Sequence, residues 1–176
     1  GCTQTAAAYD HAAGWSALAD EAGFALLLPE QMPGNNPNRC FNWFAPGDIR
    51  RDSGEALSIR QMVAAMVHQH RLNPDRVYIN GLSAGGGMTA AMLATYPEVF
   101  AGGAVIAGLP FGVAETVPQA FDRMRGHGLP DARSLETLAR KASGDFQGPW
   151  PSLSIWHGSA DATVAASNAD ALVQQW

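Results

Sequence analysis

At 176 residues the chain is long enough for one domain with a buried core and too short for two. Hydrophobic residues make up 47% and charged residues 15%, a globular rather than a disordered composition. A net charge of −5 argues against nucleic-acid binding, which rests on clustered Lys and Arg, and the longest pure apolar runs, such as 24–28, are far too short for a membrane span.

The chain opens on Gly1-Cys2 without an initiator Met, a charged leader or a signal peptide, as expected of a mature or cut product. Two cysteines, Cys2 and Cys40, permit one disulfide and no four-ligand zinc site. They read either as two buried thiols or as a bridge from the N-terminus to a long loop, and a bridge implies an oxidising compartment.

In chain order, residues 6–22 read as one helix with Trp15, Leu18 and Ala22 on a buried face, stopped by Gly23. Residues 24–28 read as a strand apolar on both faces, ended by Pro29. Residues 30–51 form a long loop rich in Pro, Asn and Gly, centred on Phe41, Trp43 and Phe44, of a length that is usually functional. Asp52 and Glu55 fit a capping pair for a helix running to His70, with Leu57, Met62, Val63, Met66 and Val67 inward. A strand is expected at 77–80, a helix at 84–96, a strand at 103–107, mixed helical pieces in 108–151, a strand at 153–157 and a helix from 165. Alternating strands and helices predict an α/β fold with a largely parallel sheet.

Gly81-Leu82-Ser83-Ala84-Gly85 matches G-x-S-x-G between an apolar strand and a helix, the context in which the serine hydroxyl is presented on a strained turn. The helix N-terminus beneath it offers free N–H groups to a developing oxyanion. Two other readings use the same glycines. Gly85-Gly86-Gly87-Met88-Thr89-Ala90 fits a dinucleotide fingerprint, but the next strand ends at Ile106-Ala107-Gly108 without an acidic residue, and no Lys completes a phosphate loop. Helix-on-strand packing alone is the plainer alternative.

A serine nucleophile needs a base, and the base an orienting acid. Asp161 follows the last strand, where this fold carries its acid. No histidine follows Asp161; His157 precedes it, against the expected order Ser, Asp, His, and His11, His68, His70 and His127 lie in segments unsuited to reach Ser83.

Together these stretches resemble the esterase family of polyhydroxybutyrate depolymerases and related feruloyl and acetylxylan esterases, of the α/β-hydrolase fold. The resemblance is carried by Gly1-Cys2-Thr3-Gln4, residues 40–44, Gly54-Glu55, residues 81–86, Tyr96-Pro97 with Phe100-Ala101-Gly102, and residues 156–161 with Val164 and Asn168. It implies a mostly parallel sheet with helices on both faces, incomplete in this chain, and a partial catalytic domain over 1–176 with a possible cap at 108–151. It implies Ser83 as nucleophile, Asp161 as acid, a base beyond the given residues, and the Cys2 and Ala84 N–H groups as oxyanion donors. It further implies a Cys2–Cys40 bridge and an extracellular or periplasmic location.

In this fold a strand ahead of Gly1 lies between residues 24–28 and 77–80, so the sheet is expected to be incomplete and the chain to be an excerpt. The expected chemistry is acyl transfer on a polyester or plant-wall ester, with neither metal nor cofactor. Trp43 reads as an aromatic platform for substrate or, equally, as a ring packed under its loop. The alternatives are a non-catalytic hydrolase-like binding module and another serine hydrolase of the same fold.

Overall fold

Three short strands, β1 (Tyr78–Leu82), β2 (Gly102–Ile106) and β3 (Ser152–Trp156), pair in parallel in that order. The register aligns their ends: Leu82 lies opposite Ile106, and Ile106 opposite Trp156. All three C-termini therefore emerge on one edge, about 4.8 Å apart from strand to strand. The computed structural model describes residues 1–176.

Helices fill the chain between strands: α1 (Ala6–Ala13), α2 (Trp15–Ala22), α3 (Pro46–Ile49), α4 (Gly54–His70), α5 (Ala84–Thr95), α6 (Val117–Met124), α7 (Ala132–Ala142) and α8 (Ser167–Gln175). The centre is α5, in which every residue but Gly85 is buried. Its composition of Ala, Gly, Met and Leu lets it lie close on β1 and β2: a Cβ on Gly103 would come within 2.8 Å of Leu93. Ile79, Gly81, Val105 and Ile155 face it. Asn80 points to the opposite face, where the Tyr9 hydroxyl of α1 reaches it at 3.5 Å, so helices lie on both sides of the sheet. The chain has the α/β-hydrolase fold.

Several expectations are corrected. The first helix is two, because Gly14 at φ 73° takes the left-handed conformation that ends α1 and opens α2. The residue α2 buries is Ala19, whereas Leu18 is 46% exposed. Met62 on α4 is likewise exposed, and that helix buries Ala56 and Ile59.

Residues 24–28 are extended and form no strand. A strand exists only through a partner, and here no ladder forms because the segment is separated from β1 by a cleft of about 1110 Å³. Leu26, Leu28, Val63, Met66, Ile79 and Leu82 are among its lining residues. Neither Ser83 nor Asp161 is among them.

The stretch 108–151 is built into the core. Leu135 of α7 is fully buried, α7 packs on α5 and α8, and buried Gln175 of α8 bonds Phe111 through both its backbone groups, at 2.7 and 2.9 Å, and the Leu135 carbonyl at 3.2 Å.

A β-carbon on Gly81 would run into the carbonyl of Gly85, whereas one on Gly34 would meet nothing within 4 Å. Gly81→Ala should therefore lower unfolding free energy in urea by about 3 kcal/mol or more, and Gly34→Ala should change it by less than about 1 kcal/mol.

Candidate active site

Ser83 joins β1 to α5 with φ 57° and ψ −120°, a conformation in which a non-glycine residue is strained. Two backbone bonds hold it there. Its N–H donates to the Ile106 carbonyl at 2.9 Å, and its own carbonyl accepts from the Gly87 N–H at 3.0 Å. The turn can be this tight because Gly81 lacks a side chain at the point where β1 meets Gly85. The G-x-S-x-G spacing thus has a direct steric cause.

The N-terminal residues lie against this turn. A Cβ on Gly1 would stand 3.3 Å from the Leu82 carbonyl, and one on Gly85 would stand 3.6 Å from the Gly1 nitrogen. Cys2 therefore sits beside Ser83 although 81 positions separate them. The helical ladder begins with the Gly87 N–H, so the Ala84 N–H is unspent, and the Cys2 N–H makes no backbone bond either. Cys2 is bonded to Cys40 in a disulfide, and the next residue, Thr3, donates its N–H to Asn38 at 2.7 Å. These two ties fasten the segment that bears the Cys2 N–H to the 30–51 loop.

Asp161 follows β3 on the same edge as Ser83. Its Oδ1 accepts the N–H groups of Thr163 and Val164 at 2.8 and 2.9 Å. These bonds hold its carboxyl below the usual carboxylate range, with a smaller contribution from His157 nearby. Oδ1 is thereby occupied, and Oδ2 accepts no backbone bond.

His157 has a different place from that of a base. Its side chain is 4% exposed, and Nε2 lies 2.8 Å from the Val164 carbonyl and 3.5 Å from Asp161 Oδ2. A carbonyl can only accept, so Nε2 carries a proton, and Nδ1 is a buried nitrogen without a hydrogen-bond partner. The ring latches the acid loop, tying its start at His157 to its end at Val164. It is the one histidine whose ring is hydrogen-bonded within the chain, and its partner is not Ser83.

A second latch holds the far side of that loop. Asn168, fully buried, donates to the carbonyls of Arg123 at 2.9 Å and Ala165 at 3.1 Å, and the Ala165 N–H donates to Met124 at 2.7 Å. The acid loop is thus bonded to the end of α6.

Trp43 is 5% exposed, with its ring against Gly87 in the first turn of α5, where a Cβ would stand 2.8 Å from Cγ. The ring is packed under its loop against the start of α5, one of the two readings that its position in the loop allowed. Phe44, edge-on to it at 5.6 Å between centroids, is half-buried.

Glu55 is corrected too. The cap position of α4 is Ser53, and the Glu55 carboxylate turns instead towards Gln31 and Asn42. Burial pushes its carboxyl above the ordinary value, partly offset by the hydrogen bonds from Asn42 and Gln31. The spacing Asp52–Glu55 suggested a cap because both roles place an acid in the first turn of a helix, and only the packing distinguishes them.

Comparison with known proteins agrees with this geometry. The family model described as esterase PHB depolymerase matches residues 1–176. The chain belongs to the PHB depolymerase esterase family. It is 52% identical over 176 residues to poly(3-hydroxyalkanoate) depolymerase C of Paucimonas lemoignei, covering all of this chain and 42% of that protein. It is 30% identical to the probable acetylxylan esterase A of Aspergillus clavatus, covering 99% of this chain and 58% of the relative. The solved acetyl xylan esterase of Aspergillus awamori superposes with a TM-score of 0.92 at 25% identity, over 99% of this chain and 65% of the other. The chain spans roughly half the length of the curated relatives it matches.

Two outcomes follow for the acid loop. His157→Ala removes the donor to Val164 and should cost about 1–3 kcal/mol in denaturant unfolding, with His157→Gln recovering part of it because its amide nitrogen reaches the Nε2 position. Asp161 titrates lower in the folded than in the unfolded chain, so its ionised form stabilises the fold above its ordinary value of 3.8, and that contribution is lost as pH falls below it. Asp161→Asn should flatten this part of the acid limb in a melting-temperature profile.

Proposed function

We propose that this chain carries the nucleophile, acid and oxyanion donors of a serine esterase that cleaves carboxylic esters through an acyl-enzyme. The observation that carries the reading is the strained turn at Ser83 with two unspent N–H groups, those of Cys2 and Ala84, beside it. Free N–H groups aimed at the place where negative charge develops stabilise a tetrahedral intermediate more than the planar ester, and that difference lowers the barrier.

In the proposed reaction the Ser83 hydroxyl oxygen attacks the ester carbonyl carbon while a base takes its proton. The carbonyl electron pair moves to oxygen, which rests on the Cys2 and Ala84 amides. Collapse expels the alcohol, which receives the proton from the base, and water then repeats the sequence to release the acid and free Ser83. The base is an imidazole whose Nδ1–H bonds Asp161 Oδ2, supplied by the protein outside these 176 residues. His157 is unsuited to the task, since its Nε2–H is committed to Val164 and its ring is enclosed.

The substrate class follows from the relatives. Identity of 52% to a poly(3-hydroxyalkanoate) depolymerase favours an aliphatic polyester, and the acetylxylan esterases at 30% make acetylated xylan the second candidate. The Cys2–Cys40 bond supports an oxidising, extracellular or periplasmic location. No helix is long and apolar enough to cross a membrane.

Labelling of the full-length protein by a fluorophosphonate should be abolished by Ser83→Ala; persistent labelling would remove Ser83 as nucleophile, and no labelling of the native protein would favour a non-catalytic module. The 176-residue chain alone should hydrolyse p-nitrophenyl butyrate at no more than the background rate. Turnover by it that vanishes in His157→Ala would overturn the assignment of the base.

A further inference from the structure

The mechanism above leaves one buried ionisable group unused. Glu55 is 8% exposed, and three N–H donors converge on it. Its Oε2 accepts the Asn42 backbone N–H at 2.9 Å, and its Oε1 accepts the Asn42 side-chain amide at 2.8 Å together with the Gln31 amide. Gln31, itself 4% exposed, also donates to the Cys40 carbonyl at 3.2 Å. Asn36 closes the ring of contacts, donating to Asn42 Oδ1 at 3.0 Å and accepting from the Cys40 N–H at 3.3 Å.

From Cys40 the path continues to the site. The disulfide joins Cys40 to Cys2, and two residues earlier the Asn38 carbonyl accepts the Thr3 N–H at 2.7 Å. The residues on either side of the Cys2–Cys40 bond thus hang from a loop whose buried polar anchor is the Glu55 carboxylate. No other side chain from outside the loop accepts as many hydrogen bonds from it.

We propose that Glu55 is a positioning residue for the oxyanion donor at Cys2, acting through Asn42, Gln31 and the Cys2–Cys40 bond. The chemistry asks for a carboxylate at this point. All three groups facing Glu55 are donors, and an amide in its place would set one N–H against another inside a buried site. The loop would then be released from α4, and the Cys2 N–H would lose its fixed aim. An oxyanion donor matters chiefly in the transition state, so loss of its aim lowers kcat and leaves substrate binding nearly unchanged.

The inference rests on the esterase reading, and its test has an arm that does not. In the full-length protein, Glu55→Gln should reduce hydrogen-exchange protection of the Thr3 amide at least about tenfold, with amides of α5 unchanged. Unchanged protection at Thr3 would overturn the proposal whatever the protein catalyses. With p-nitrophenyl butyrate, the same variant should lower kcat by about tenfold with KM within about twofold. In a Cys2→Ser/Cys40→Ser background, where the covalent tie is cut and only the Thr3–Asn38 bond remains, Glu55→Gln should cost clearly less than it does with the disulfide present. An equal loss in both backgrounds, or a change confined to KM, would overturn it. Gln31→Met keeps the volume and removes the link to Cys40; should Glu55→Gln fail to fold, the same pattern is required of Gln31→Met, and its absence overturns the proposal.

Discussion

A serine held at φ 57° and ψ −120° does not stay there on its own account; such a conformation costs on the order of 1–3 kcal/mol unless its surroundings over-determine it. Here they do. The N–H of Ser83 is fixed to β2, its carbonyl to the first turn of α5, and α5 is buried along nearly its whole length. Strand and helix are both set before the turn between them, and the turn has only one way to close. The rest of the site is arranged around a hydroxyl that the core, rather than the loop, has placed.

The other groups reach Ser83 by separate routes, each with its own anchor. The Cys2 N–H comes with a segment tied by the disulfide and Asn38 to the 31–42 loop, and that loop is bonded to Glu55 on α4. Asp161 comes with a loop latched by His157 within itself and by Asn168 to the end of α6. Because the anchors share no residue, damage to one should leave the others in place. The stretch 108–151 is joined to this scaffolding: Gln175 and Asn168 of α8 bond it at Phe111, Leu135 and Arg123.

What could be read in the sequence divides along physical lines. The strands at 77–80, 103–107 and 153–157 and the helix after Ser83 are legible because local pattern and tertiary fate agree there. Gly81, Ser83 and Gly85 are legible because a steric rule fixes their spacing. Residues 24–28 carry the pattern of a buried strand, yet pattern specifies a surface and not a partner, and here no ladder forms. Trp43 was ambiguous because a loop aromatic looks the same whether it faces a ligand or Gly87. The tether at Glu55 was hidden for a related reason: Gln31, Asn42 and Glu55 are 24 and 13 positions apart, and nothing local distinguishes a buried carboxylate with three donors from one capping a helix.

The likeness to the Aspergillus awamori esterase bears on how little of the geometry depends on particular side chains. A TM-score of 0.92 at 25% identity means that the backbone is kept while most side chains differ. The bonds that set the site's geometry are of the kind that permits this: Ser83 N–H to Ile106, Ala107 N–H to Trp156 at 2.8 Å, and the Thr163 and Val164 N–H groups to Asp161 each need at most one particular side chain. Geometry held in this way is indifferent to most of the residues around it. The side chains that border this edge without holding it together are where two chains of one fold are free to differ.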